Sequence, residues 1–287
     1  MSLDLNPRRR AMLQEMGVAV WWPAADAVPI ANQQLPAPQE APSSQPPEAI
    51  ASRAQTAISA APLIGALPSD ERHGRIARMH WPDLQQAVHQ CQDCGLCAQR
   101  KNTVFGTGPT SVAGSTGAPT PVDWLVVGEA PGEQEDLRGI PFVGPAGQLL
   151  DNMLKAVRLR GAGEPALGRQ QGIYITNVIK CRPPGNRNPQ AAEIAQCLPY
   201  LARQISLLQP RLILALGRFA ADALLMGSQP GVSQMPLGKL RGQVYAYQGI
   251  PVVVSYHPAY LLRNPPDKAK AWADLCLAVQ VYQEKTG

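Results

Sequence analysis

The sequence has no uninterrupted apolar stretch of the roughly 18 residues that a membrane-crossing helix requires, so no membrane span is expected. Its first residues, MSLDLNPRRRAMLQEMG, lack the long apolar segment and small-residue cleavage site of an export signal. A reducing cytoplasm is therefore the expected setting. Structural disulfides are rare there, so the six cysteines are better explained as metal or cluster ligands. Histidine is scarce, with four in all, and His257 stands alone after residue 89. That excludes a His-rich metal centre or a His pair in the C-terminal part. Lysine is missing from residues 1–80, where seven Arg balance seven Asp and Glu. The net charge of +5 therefore belongs to the rest of the chain, with 19 basic against 14 acidic side chains. A basic folded part suits a polyanionic partner, although many ordinary enzymes carry as much charge.

Composition divides the chain into three parts. Residues 23–68 hold nine prolines with many Ala, Gln and Ser, a mixture that buries too little apolar surface to offset chain entropy. Residues 23–80 are accordingly expected to be a disordered linker. Before it, residues 1–22 carry Met12, Leu13, Met16 and Val18 leading into Trp21 and Trp22. A short amphipathic helix on a tether reads as a peptide that docks on a partner; packing back on its own domain is the alternative. Residues 81–287 have the pattern of a globular domain, and 45% hydrophobic content over 287 residues is ample for it.

Within that domain four short apolar runs rich in β-branched residues recur, at 124–127, 173–176, 212–216 and 252–255. Helical patterns lie between them, at 145–159 and 189–208. In the second, Ile194, Cys197, Leu198, Leu201, Ile205 and Leu208 share one face, Asn188 is placed as cap, and Pro199 is expected to kink the helix. Apolar strands alternating with helices predict a three-layer α/β/α sandwich around a four-stranded, mainly parallel sheet. Ligands of such sheets bind beyond the carboxyl ends of the strands.

The distinctive residues lie at those ends. The first strand runs into Gly128-Glu-Ala-Pro-Gly-Glu-Gln-Glu-Asp136 and then PFVGPAG; the second ends in TNVIKCRPPGNRNP; the fourth enters Ser255-Tyr-His-Pro-Ala-Tyr-Leu-Leu-Arg-Asn-Pro265. Carboxylate, carboxamide and imidazole groups thus converge on one rim, in loops whose Gly and Pro permit tight turns.

GEAPGEQED, PFVGPAGQLL, TNVIKCRPPGNRNP and HPAYLLRNP, in this order, resemble the motifs of the family 4 uracil-DNA glycosylases. CQDCGLCAQR followed by VFGTG resembles that family's N-terminal cluster loop. The resemblance covers about residues 91–282 and none of residues 1–80. It implies excision of uracil from DNA, through a pocket for a base flipped out of the stack. It implies that Phe142 stacks on the base and that Asn177 reads its edge, donating to O4 and accepting from N3–H. Glu135 would crowd C5 and so help reject thymine. Gly128, Glu129 and Ala130 resemble the segment that holds the attacking water, and His257 would donate to uracil O2. Leu261 and Leu262 are candidates to wedge the vacated stack, and Arg263, Lys239 and Arg241 to hold phosphates. For these five, an ordinary loop and solvated face is the alternative.

Cys91 and Cys94 form a CxxC, which by itself also fits zinc or a redox pair. By resemblance they join Cys181 and Cys197 around a structural [4Fe–4S] cluster. Cys97 and Cys276 are then bystanders, and zinc in the same four thiolates is the competitor. No nucleotide cofactor is needed, and a cytoplasmic, nucleoid-associated monomer is expected. Two rivals stand beside hydrolysis. A variant of the same superfamily traps DNA covalently through an inserted His-containing loop, but Leu137-Arg-Gly-Ile-Pro141 has neither insertion nor His. A non-catalytic DNA-damage binder is the other. RRRAMLQEMGVAVWWP is also similar to the N-terminal peptide of the psi subunit of the polymerase III clamp loader, which docks on chi; a clamp-loader chi partner for residues 1–22 would follow.

Overall fold

A computed structural model describes residues 69–286, apart from 110–118, 120, 158–171, 228 and 230. The expected docking peptide at 1–22, and the linker up to residue 68, lie outside the described residues. The fold begins before residue 81, with α1 (Ser69–Arg78) followed by α2 (Trp81–Gln90). α1 reads SDERHGRIAR and is polar almost throughout, which hides it among linker composition. It nonetheless buries Ile76 and carries Arg72 into an ion pair with Asp93.

The remaining elements, in chain order, are β1 (Trp124–Gly128), α3 (Glu133–Arg138), α4 (Pro145–Ala156), β2 (Ile173–Asn177), α5 (Ala191–Leu208), β3 (Leu212–Leu216), α6 (Arg218–Leu225), α7 (Leu237–Leu240), β4 (Val244–Tyr247), β5 (Ile250–Ser255), α8 (Pro258–Arg263) and α9 (Lys268–Thr286). The sheet has five strands in the order β2-β1-β3-β5-β4. The four expected strands are present and parallel to one another. The fifth, β4, corrects the four-strand expectation: it pairs antiparallel with β5 at the edge. Its turn is Gln248-Gly249, both with positive φ (48° and 83°), as a two-residue hairpin requires.

Every residue of β1, β2 and β3 is buried, as strands covered on both faces must be. Alternate side chains feed two cores. Leu125, Val127, Tyr174, Ile213, Ala215, Val252 and Val254 pack with α1, α2, α5 and α6. Trp124, Val126, Ile173, Ile175, Leu212, Leu214, Leu216 and Val253 pack with α4, α8 and α9 on the other face. The three-layer arrangement is therefore as expected. In α5 the cap is Gln190, not Asn188. The Glu193 carboxylate at the third helical position reaches back to the Gln190 N–H at 2.8 Å, and the helix runs on through Pro199.

Candidate active site

The carboxyl ends of β1, β2, β3 and β5 open on one cleft of about 610 Å3, lined among others by Glu129, Ala130, Glu135, Phe142, Asn177, Arg218, His257 and Arg263. Its floor is made where β1 and β2 end side by side, with Gly128 opposite Asn177 in the parallel register. Asn177 is 1% exposed and its Oδ1 has no hydrogen-bond partner. Buried carboxamide oxygens are normally satisfied, so an orphan at a cleft floor marks a place for a donor from outside. A Cβ on Gly128 would overlap Asn177 Oδ1 and lie 2.6 Å from Phe142 Cζ, so only glycine leaves room there.

Phe142 reaches the cleft from a strained loop, with φ of 55°. Two residues hold it. Glu135 accepts the Val143 and Gly144 N–H groups on Oε1, at 2.9 and 3.0 Å, and the Gly132 N–H on Oε2 at 3.1 Å. Gly147 leaves space for the Phe142 carbonyl, which any Cβ at that position would strike. Glu135 thus lines the cleft with Oε1 committed to the Phe142 loop and Oε2 to the Gly132 cap of its own helix.

His257 caps the N-terminus of α8. Its Nδ1 accepts the Ala259 N–H at 3.2 Å, which leaves the proton on Nε2. Burial, and then the Arg263 charge, pull its pKa down to about 4, so the ring is neutral at pH 7. It lies near-parallel to Phe142, ring centroids 5.5 Å apart. Gly217 permits this: with φ of 87°, its Cα comes so close that a Cβ would sit 3.2 Å from His257 Cβ. Burial raises the Glu129 carboxyl above its ordinary range.

The residues proposed to hold DNA separate. Lys239 and Arg263 are exposed, and Leu262 is 44% exposed. Leu261 is fully buried in the core against α4 and α9, so it is not a wedge. Arg241 is not a free phosphate ligand either. It pairs at 2.7 Å with the buried Asp274 and stacks 4.3 Å over the Tyr256 ring. Both departures have one cause: an apolar or basic residue in a loop motif can face inward, and the motif does not say which. Asp136 was missed for the converse reason. It is buried and accepts the Lys101 and Asn102 N–H groups, binding the loop after the CxxC to α3. Arg218, also missed, ties α6 to the Val232 carbonyl at 2.9 Å.

Cys181 and Cys197 are buried, and Cys91 and Cys94 pack against the same core. The four lie within electrostatic reach of one another: Cys181 senses Cys94 and Cys91, and Cys197 senses Cys181 and Cys94. Burial pushes the Cys181 thiol up to about 11 and Cys197 up to about 12. Each of the four sulfurs nonetheless faces a donor: the Asp93 N–H at Cys91, whose thiol also donates to Asp93 Oδ2 at 3.1 Å, the Leu96 N–H at Cys94, the Arg100 guanidinium at Cys181 (3.3 Å) and the Lys180 N–H at Cys197. Such donors suit thiolates, and hence ligation of a soft metal centre. Among the described residues no three His, Cys, Asp or Glu are placed to hold a single metal ion. Cys276 is exposed on α9.

The cleft thus brings together a buried carboxamide oxygen without a partner, a neutral imidazole, a half-buried carboxylate and an aromatic ring. Residues 115–276 match the uracil DNA glycosylase superfamily, and the chain belongs to it, in its type-4 group. The type-4 uracil-DNA glycosylase of Pyrobaculum aerophilum is 39% identical over 202 residues, covering 68% of this chain and 90% of that protein. That of Thermotoga maritima is 36% identical over 182 residues, covering 63% and 82%. A type-5 uracil-DNA glycosylase, also of Pyrobaculum aerophilum, is 30% identical over 211 residues, covering 66% and 89%.

Proposed function

We infer that the chain is a uracil-DNA glycosylase of base excision repair, which takes uracil out of DNA and leaves an abasic site. The single observation that carries the pocket assignment is the buried, unpartnered Oδ1 of Asn177 on the cleft floor, beside Gly128, where any Cβ would overlap it. Uracil N3–H supplies the missing donor, and the Asn177 amide group donates to O4. Phe142 stacks on the flipped base. Glu135, immobilised by three N–H groups, forms the wall at C5 that a thymine methyl would meet. As the C1′–N1 bond breaks, its electron pair passes to the uracil ring, and the Nε2–H of His257 stabilises the charge on O2. The Glu129 carboxylate faces the cationic sugar and orients the water. In the net, that water leaves its hydroxyl on C1′ and its proton on uracil. Lys239, Leu262 and Arg263 remain as DNA-contacting residues.

An oligonucleotide with one uracil tests this reading and separates it from its rivals. Multiple turnovers are expected; a stoichiometric covalent adduct would establish the trapping variant, and no reaction a binding protein. Asn177→Ala should lower the single-turnover rate at least about tenfold, because a site built around a hydrogen bond loses discrimination without it. An unchanged rate would reject the floor assignment.

Cys91, Cys94, Cys181 and Cys197 are proposed to hold a [4Fe–4S] cluster. It would supply no step of the reaction, but would pin the CxxC loop to the loop after β2. Protein purified without oxygen should be brown and contain iron and sulfide, and Cys197→Ala should lose both. Stoichiometric zinc in a colourless preparation would refute the cluster. Residues 1–22 are proposed to dock on the clamp-loader chi subunit, at the nucleoid. A pull-down of chi by the full chain should fail when Trp21 and Trp22 are both changed to Ala; equal capture would reject the idea.

A further inference from the structure

Lys180 is 1% exposed, although it carries an ammonium group, and no carboxylate is among its hydrogen-bond partners. Burying a cation is expensive unless all its donors are satisfied, so the partners matter. Nζ makes three bonds of 2.7 Å each: to Thr176 Oγ1, to the main-chain carbonyl of Asn177 and to Gln204 Oε1 on α5. The partners are themselves fixed. The Thr176 hydroxyl and the Gln204 amide both donate to the Phe105 carbonyl, at 2.8 and 2.9 Å. On the opposite side, the Val178 N–H bonds to the Gly128 carbonyl at 3.0 Å. The last peptide of β2 is therefore gripped from both directions, at the residue whose side chain forms the cleft floor.

We propose that Lys180 is a positioning residue for uracil recognition: its buried ammonium clamps the Asn177 carbonyl to Thr176 and Gln204 and so aims the Asn177 carboxamide at the base. A hydrophobic side chain of the same length would fill the space more cheaply, so packing alone does not account for a lysine here. Lys180 touches neither the base nor the sugar and acts through Asn177. The proposal rests on the assignment of Asn177 as the group that reads the base.

The test compares wild type, Lys180→Met and Asn177→Ala, each with its metal content intact, in three readouts: the single-turnover rate on a uracil oligonucleotide, inhibition by free uracil, and affinity for abasic-site DNA. Misaiming a recognition group by about an ångström costs on the order of a hundredfold. Lys180→Met should weaken uracil inhibition and slow the reaction by about ten- to a hundredfold, with abasic-DNA affinity unchanged. A general loosening of the domain would lower all three together, and that result overturns the proposal, as does wild-type inhibition by uracil. Should Lys180→Met not fold, Thr176→Val deletes one acceptor while keeping the β-branched shape. It is expected to show the same split with a smaller loss, and wild-type behaviour in it overturns the proposal. If Asn177→Ala itself keeps wild-type inhibition by uracil, the floor assignment fails. If Asn177→Ala loses it and Lys180→Met does not, only the role of Lys180 fails.

Discussion

His257→Ala should slow uracil excision about 10²–10³-fold in single turnover, the usual loss when one donor to a developing negative charge is removed. The assignment depends on which nitrogen carries the proton. Nδ1 is occupied by the Ala259 N–H, so Nε2 is the nitrogen left to donate. Burial and the Arg263 charge hold the pKa down at about 4, so His257 acts as a neutral donor across the physiological range. A neutral donor has a consequence in the pH profile: no inflection from His257 is expected near 6.5, where a solvated imidazole would titrate. Burial of the Glu129 carboxyl moves its pKa upward instead. The carboxylate is the form that favours a cationic sugar, so the rate should fall as pH drops through that raised value. The acid limb therefore belongs to Glu129: it should persist in His257→Ala, on a lower plateau, and disappear in Glu129→Gln. A wild-type profile that rises below neutral pH and flattens in His257→Ala would show the imidazolium to be the active form, and would reject the neutral-donor assignment.

The sequence made the central sheet legible because its strands are buried on both sides and are therefore apolar runs bounded by Gly, Pro and Asn. β4 was not visible. VYAY at the sheet edge alternates exposed and half-buried positions, and its turn is Gln-Gly in place of the commoner Asn-Gly or Asp-Gly. Glu129, Phe142, Asn177 and His257 were legible because strand ends are where such folds bind ligands, and all four line the cleft. What each polar group does there depends on partners far away in the chain. Glu135 occupies the position that resemblance assigns to C5, yet two N–H groups tie it to the Phe142 loop and a third, from Gly132, to the cap of its own helix. Arg241 is a surface cation by composition, but Asp274, 33 positions further on, takes it inward. Leu261 and Leu262 are identical in sequence terms. The rotation of about 100° between neighbouring residues of α8 sends the first into the core and leaves the second exposed. Lys180 carried a signal that sequence reading passed over, a lone lysine within TNVIKC immediately after a buried strand.

Gly128→Ala should lower uracil excision by about 10³-fold or more, while the protein keeps its fold and its affinity for abasic DNA. Gly128 is the last residue of β1, without the positive φ of Gly217 or Gly139, so its backbone conformation accepts alanine. The obstacle is space alone. The added methyl would overlap Asn177 Oδ1 and lie 2.6 and 2.8 Å from Phe142 Cζ and Cε2. Those are the two groups proposed to grip the base, one along its edge and one on its face. Misplacing a single group by about an ångström costs on the order of a hundredfold, and here one methyl displaces both. Side-chain ends can yield where backbone cannot. Gly147 offers the contrast, since its missing Cβ faces the main chain of Phe142 and any substitution must move the loop itself. Gly147→Ala should therefore lower the melting midpoint together with the rate, whereas Gly128→Ala should lower the rate with little change in melting. The discriminating measurement is a single-turnover rate beside a thermal melt for each variant. A Gly128→Ala enzyme that excises uracil at the wild-type rate would mean that the base does not enter between Asn177 and Phe142, and the pocket would have to be placed elsewhere on the rim.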